Sequence, residues 1–256
     1  MSADNMANWR TGIAEVVSTE TEEEVLIRGR KLSELIGSLS FAEMMFLLLT
    51  GREPTKPQAR VLDALLVASI EHGIAPPSMI ARCYASYGTS IQAAMAGGIM
   101  AFGDTMGGAG EQLAKMLSEA AAGLDVDPSD DALRQLAADI VGRGGRIPGY
   151  GIPLHGADPR SPKMLSVARE EGCFGTHCRL AELIEQEIER TTGKSIPLNL
   201  DGVGAVVILD LGFPWQLTRM FLITPRSVSF AAHYYEEQQQ GTKWRHLAAD
   251  DITYES

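Results

Sequence analysis

Gly144-Gly-Arg-Ile-Pro-Gly-Tyr-Gly-Ile-Pro-Leu-His-Gly-Ala-Asp-Pro-Arg160 is the stretch from which the fold is read outward. Its five glycines and three prolines exclude a helix interior or a central strand, because proline lacks a backbone donor and fixes φ. Glycine opens φ > 0, so the backbone here is closely shaped. Tyr150, His155, Asp158 and Arg160 stand within it, each able to touch a ligand. Long helical patterns flank it on both sides. An irregular polar turn between helices is a common carrier of binding residues; a plain helix–helix linker has the same composition.

Outward from this loop the apolar residues recur at helical spacing. Ser40 with Glu43 forms a capping box ahead of a helix over Phe41–Leu49. Further helices are expected over Gln58–Glu71, Met79–Ser86, Ser90–Met100, Glu111–Ala122, Pro128–Val141, Ser161–Glu171, Leu180–Thr191 and Ala205–Leu211. Leu217–Thr224 is expected to stop at Pro225, with a separate helix over Phe230–Gln240. The segment 90–100 is dense in alanine and glycine, which suits the middle of a bundle or a symmetric interface. Residues 1–23 read as a polar arm, and no two strands bounded by hairpin signals are evident. The expected fold class is therefore all-α.

Composition narrows the function. With 256 residues, 45% apolar and 21% charged, the chain can bury a sizeable core. A net charge of −11 argues against nucleic acid or an anionic membrane surface as partner. A few local arginines can still hold a small anion. Cys173, His177 and Cys178 form a C-x3-H-C run, but no fourth ligand of suitable spacing accompanies it, so no metal is expected. No stretch of about 20 apolar residues is present and the N-terminus is polar, so a cytoplasmic protein is expected. Standard motifs are absent: no G-x-S-x-G, no P-loop, no H-E-x-x-H. Gly149 and Gly151 begin like a dinucleotide fingerprint, but Leu154 occupies the third glycine position.

Several stretches, in order, carry a resemblance. They are Leu26-Ile-Arg-Gly-Arg30 with Phe41-Ala-Glu and Leu47-Leu-Leu-Thr-Gly51; Met106-Gly-Gly-Ala-Gly-Glu111; and Pro148-Gly-Tyr-Gly151 with Asp158-Pro-Arg160. Leu198-Asn-Leu-Asp-Gly202, Leu209-Asp-Leu-Gly-Phe-Pro214 and Arg226 with Ala232-His-Tyr-Tyr-Glu-Glu237 follow. Together they resemble the citrate synthase superfamily, especially its short citryl-CoA lyase branch, from about residue 25 to the end. The resemblance implies an all-α homodimer with a large helical domain (24–108 and 200–256) and a small CoA-binding helical domain (109–199). It implies a coenzyme A thioester and a keto or hydroxy acid as small-molecule substrates.

That chemistry makes or breaks a carbon–carbon bond through an enolate. It needs a carboxylate to move the α-proton, a donor for the enolate oxygen and a donor to polarise the keto-acid carbonyl. Arginines must pair the carboxylates. By resemblance Asp201 is the carboxylate, Arg160 and Arg226 bind substrate carboxylates, and His72, in Glu71-His-Gly73, contacts the keto acid. Gly107, Gly108, Gly149, Tyr150 and Gly151 fall at cofactor-binding positions. Two family histidines are replaced, by Met106 and Ile152, side chains that cannot donate. Loss of one such donor typically costs about 3–4 kcal/mol of transition-state stabilisation. His155 is the nearest replacement donor and is grouped with Asp201 and His72 as a catalytic candidate, with Met106 and Ile152 lining the substrate. The family's C-terminal arginine has no counterpart in Ala248-Ala-Asp-Asp251, and Arg245 is out of register. Simpler roles stand beside these: Asp201 and His72 as helix caps, Arg160 as a solvated charge, His155 as a loop residue. Three functions are open: a C–C lyase or synthase with an altered acid–base set, a weakened homologue that senses acyl-CoA or carboxylate, and a structural partner subunit.

Overall fold

The computed structural model describes residues 9–151 and 158–255. The chain is mostly helical, as expected, and divides into two compact units, Met1–Asp63 and Ala64–Ser256, with the division inside one helix.

The first unit begins with a three-stranded antiparallel sheet, β1 (Ala14–Ser18), β2 (Glu23–Ile27) and β3 (Arg30–Lys31), in that order. Ala14 pairs with Ile27, Val16 with Val25 and Ser18 with Glu23. These strands correct the expectation of no hairpin. Their turn carries no glycine, asparagine or proline; the Thr19 hydroxyl accepts from Glu22 N–H at 3.0 Å and donates to the Glu22 carbonyl. A hydroxyl-closed turn is a weaker sequence signal than Asn-Gly. After α1 (Leu32–Leu35) comes α2 (Phe41–Thr50), whose capping box forms as read. Glu43 N–H donates to Ser40 Oγ at 3.2 Å, and Ser40 N–H donates to Glu43 Oε2 at 2.7 Å.

Helix α3 (Lys56–Ser69) leads into the second unit. There α4 (Pro76–Ser86), α5 (Ile91–Met100), α6 (Ala109–Ala121), α7 (Asp130–Gly142), α8 (Arg160–Glu170), α9 (Thr176–Thr192), α10 (Leu200–Asp210) and α11 (Thr218–Gln240) follow. Helix α10 reads Leu-Asp-Gly-Val-Gly-Ala-Val-Val-Ile-Leu-Asp and is apolar nearly all round, the pattern of a helix enclosed by others. It packs against α6, α8, α9 and α11, with Val203, Val206, Val207 and Ile208 wholly buried. A second cluster joins α4, α5 and α11 through Ala81, Ala94 and Phe230. The small residues of α5 are used inside the chain: a Cβ on Gly98 would lie 2.7 Å from the Phe230 ring, and one on Gly97 2.9 Å from Tyr84.

Helix α11 departs from expectation. Pro225 lies inside it and does not end it. Proline removes one backbone hydrogen bond, a cost of about 3 kcal/mol in an isolated helix. Phe221, Pro225, Ser229 and Phe230 are all buried, and burial along the helix offsets that local cost. Continuity matters for the site, because it places Arg219, Arg226, Ser229 and His233 on one helix at near-integral turns. No helix among the described residues is long and apolar enough to cross a membrane.

Candidate active site

The site is organised by the start of α10. Asn199 is its N-cap, with Oδ1 accepting from Gly202 N–H at 3.0 Å. Asp201, in the first turn, is therefore relieved of capping. Burial raises its carboxyl pKa above the ordinary range, opposed by the positive charges of Arg226, Arg160 and His72. The fold thus brings three of the sequence-read residues within electrostatic reach of the carboxylate of a fourth.

Each of the three residues is itself held. Arg226 is 8% exposed and its Nε donates to the Ser69 carbonyl at 2.7 Å. Arg160, the first residue of α8, grips Asp158 side-on, Nε to Oδ1 at 2.9 Å and Nη2 to Oδ2 at 2.6 Å. The Arg160 hydrogen bond in turn draws the Asp158 carboxyl pKa down, against a smaller upward effect of burial. His72 is exposed in the connection between α3 and α4. Its N–H donates to Glu71 Oε1 at 2.7 Å.

The Pro148-Gly-Tyr-Gly151 stretch is stitched to the segment preceding Asp201. Asn199 N–H donates to the Gly149 carbonyl at 2.9 Å, Asn199 Nδ2 to the Gly151 carbonyl at 3.0 Å, and Gly151 N–H to the Pro197 carbonyl at 2.8 Å. Tyr150 is buried and its hydroxyl donates to the Ala181 carbonyl at 2.8 Å. The Gly151 amide and the Tyr150 hydroxyl are thus spent on the scaffold. Gly149 has φ +79°, and a Cβ there would lie 2.9 Å from Gly202 Cα, so two backbones touch where Asp201 enters its helix. Gly108 precedes α6 with no side-chain cap, and Gly110 packs against the Asp201 carbonyl. Gly107, Gly110, Asp201 and Arg219 share the wall of a small cavity of about 30 Å³, room for a water molecule. Met106 is half-buried in the turn before α6, its carbonyl accepting from Gly103 N–H at 2.9 Å. Ile152 and His155 lie outside the described residues.

Sequence reading missed two participants. Arg219 pairs with Asp104 at 2.8 Å and Glu111 at 3.3 Å, while its buried Nε has no hydrogen-bond partner among the described residues. Glu71 accepts four contacts, described below. Arg219 and two partners of Glu71, Ser229 and His233, share α11, and a reading that ends the helix at Pro225 separates Arg219 from the other two. The C-x3-H-C run does other work. Asp210 accepts from the backbone of Gly175, His177 and Cys178, each at 2.9 Å, and lies 2.8 Å from His177 Nδ1, so it caps α9. Among the described residues no group of three or more His, Cys, Asp or Glu side chains could hold a metal ion.

Comparison with known proteins adds to this geometry. Residues 49–247 match the citrate synthase C-terminal domain. The chain is 26% identical over 212 residues to citrate synthase of Heyndrickxia coagulans, covering 81% of this chain and 55% of the relative. It is 31% identical over 207 residues to citrate synthase of Deinococcus radiodurans, covering 78% and 53%. The chain thus spans about half the length of the curated relatives it matches. A solved structure of citryl-CoA lyase from Hydrogenobacter thermophilus superposes with TM-score 0.85 at 34% identity, covering 97% of this chain and 94% of that one. ATP citrate lyase from Methanothrix soehngenii, solved with citrate and coenzyme A, shares the fold at TM-score 0.79 and 21% identity, covering 98% of this chain and 42% of that one.

Proposed function

We propose, from the premise that the chain belongs to the citrate synthase family, that it cleaves or forms a carbon–carbon bond beside a coenzyme A thioester, in the manner of a citryl-CoA lyase. The observation that carries this is Asp201: a carboxyl freed from capping by Asn199, raised in pKa by burial, and faced by Arg226, Arg160 and His72. In the cleavage direction the substrate hydroxyl gives up its proton to a base, the role proposed here for His155, its carbon becomes the keto carbon, and the bond from that carbon to the thioester α-carbon breaks. Its electron pair moves into the thioester as an enolate. Asp201 then delivers a proton to the α-carbon, and a raised pKa suits a group that must hold a proton before giving it. In condensation the same carboxylate removes that proton.

Arg226 and Arg160 pair substrate carboxylates in this scheme, and His72 contacts the keto acid. Asp158 occupies the Nε–Nη2 side of Arg160, so a substrate carboxylate is taken by the remaining Nη1–Nη2 edge. With Ala248-Ala-Asp-Asp251 where the family carries its C-terminal arginine, a substrate with fewer carboxylates than citryl-CoA fits better. Met106 and Ile152 line the acyl group, and His155 is the proposed substitute donor. The likeness to citryl-CoA lyase and to a coenzyme A-bound neighbour supports a thioester substrate. We assign residues 109–199 to the coenzyme A side, where Gly144, Gly145, Arg146, Ile147 and Tyr150 line a pocket of about 540 Å³. Calorimetry should show coenzyme A binding, weakened about tenfold by Arg146→Ala, the loss of one charge-assisted phosphate contact. No heat with coenzyme A or acetyl-CoA at millimolar concentration would exclude the thioester reading. Binding of a thioester with no cleavage of citryl-CoA or malyl-CoA would favour the sensor or partner role.

A homodimer is part of the proposal. Met79, Ile91, Met100, Val228 and Tyr235, on α4, α5 and α11, are exposed by 43–82%, apolar surface that a second copy would cover. Light scattering should give about twice the 27.6 kDa chain mass; a monomer at micromolar concentration would reject it.

A further inference from the structure

Glu71 is a carboxylate with no role in the chemistry above, yet it receives more hydrogen bonds than its exposure would suggest. The side chain is 43% exposed, and most carboxylates so placed are simply hydrated. Instead Oε1 accepts from the backbone N–H of His72 at 2.7 Å and of Gly73 at 2.6 Å. The Ser229 hydroxyl donates to Oε2. His233 Nε2 lies 3.4 Å from Oε1. The other nitrogen of His233, Nδ1, is 3.1 Å from Arg82 Nη1. Arginine can only donate, so Nδ1 accepts and Nε2 carries the proton that points at Glu71.

The partners share a geometry. Arg226, Ser229 and His233 stand at i, i+3 and i+7 on α11, one face of the helix. That face meets the connection Ser69–Gly73: Arg226 holds the Ser69 carbonyl, while Ser229 and His233 hold the Glu71 carboxylate. One carboxylate therefore closes the turn that carries His72 and ties it to the helix that carries Arg226. Arg82, which fixes His233, is held in turn by Glu237, wholly buried, at 2.5 Å.

We propose that Glu71 is the positioning residue of the substrate-carboxylate end of the site: it sets the His72 turn against Arg226 and touches no substrate itself. This rests on the assignment of His72 and Arg226 to keto-acid binding. A group that holds binding residues in place acts on binding rather than on the chemical step, so its loss should appear in KM and not in kcat.

The test compares Glu71→Ala, Glu71→Gln and the unmutated chain. Citryl-CoA cleavage supplies kcat and KM, and calorimetry with oxaloacetate supplies a Kd that needs no turnover. Glu71→Ala should raise both KM and Kd about 10- to 100-fold, the loss expected when charge-assisted hydrogen bonds go, with kcat within about threefold of the unmutated value. Glu71→Gln keeps an oxygen acceptor for the His72 and Gly73 amides and should recover most of the loss. Should Glu71→Ala fold poorly, Ser229→Ala removes one donor to the carboxylate and should move KM and Kd the same way by a smaller factor. Unchanged KM and Kd, a loss confined to kcat, or a Gln variant as impaired as Ala would overturn the proposal. If the unmutated chain binds oxaloacetate but does not cleave citryl-CoA, the lyase reading falls while Glu71 is still judged on Kd. If it does neither, both fall.

Discussion

Asp201→Asn should lower kcat by about 10²–10⁴-fold, the usual contribution of a positioned acid–base group, while leaving the fold as stable or slightly more stable. The amide keeps the shape of the side chain and cannot exchange the proton. Cap integrity is not at stake, because Asn199 and not Asp201 closes the α10 N-terminus. The stability sign follows from the raised pKa, whose main cause is burial. A carboxyl with a folded pKa above its unfolded value supports the folded state fully only below the unfolded pKa, and that support is lost as pH rises through the folded pKa. Above its raised folded pKa the ionised Asp201 opposes folding, and the neutral asparagine removes that opposition. The same displacement predicts opposite pH limbs for the two directions: cleavage, which uses protonated Asp201, should fall as pH rises through its raised pKa, and condensation should rise. Steady-state rates and thermal melts on the two proteins check both halves. A variant that retains citryl-CoA cleavage at the unmutated rate would remove Asp201 from the mechanism.

Gly202→Ala should be the most damaging small substitution near the site. An added Cβ would press into the Gly149 carbonyl oxygen and lie 2.6 Å from Leu198 Cδ1 and 3.0 Å from the Gly149 carbonyl carbon. Leu198 is flexible; the Gly149 backbone is not, because its carbonyl is bonded to Asn199 N–H and Gly149 itself sits at φ +79°. The strain must be relieved by separating the Pro148–Gly151 stretch from the start of α10. Overpacking of this kind typically costs about 1–3 kcal/mol, and about 3 kcal/mol corresponds to a Tm drop of roughly 6–12 °C at this chain length. Displacing Asp201 and the glycine stretch by about 1 Å should cost on the order of 100-fold in kcat/KM. Gly204→Ala, two residues on in the same helix, is the control. Its Cβ would meet only Leu65 Cδ1 at 3.7 Å, an ordinary contact, so it should melt close to the unmutated protein. Equal melting temperatures for Gly202→Ala and the unmutated chain would show that the two backbones are not in contact in solution.

Much of this molecule was legible in the chain itself. Helical class, the capping box at Ser40 and Glu43, and the sense of Pro-Gly-Tyr-Gly as shaped backbone all follow from local rules: apolar period, cap chemistry and the φ each residue permits. Family membership was equally legible, because it rests on the order of short motifs. Three features were decided only by tertiary structure. The β1–β2 hairpin closes through the Thr19 hydroxyl, a turn whose stability comes from its strands and not from special residues. Helix α11 runs through Pro225 because burial on either side outweighs one missing hydrogen bond, and local propensity cannot see burial. The site itself is non-local: Glu71 is 158 residues from Ser229 and Asn199 is 48 from Gly151. Sequence names the groups that can carry charge or donate a proton. Packing of α6, α8, α9 and α11 around α10 decides that the Asp201 carboxyl is raised, and the meeting of α11 with the Ser69–Gly73 connection decides that a glutamate outside the chemistry accepts from the backbone of the histidine beside it.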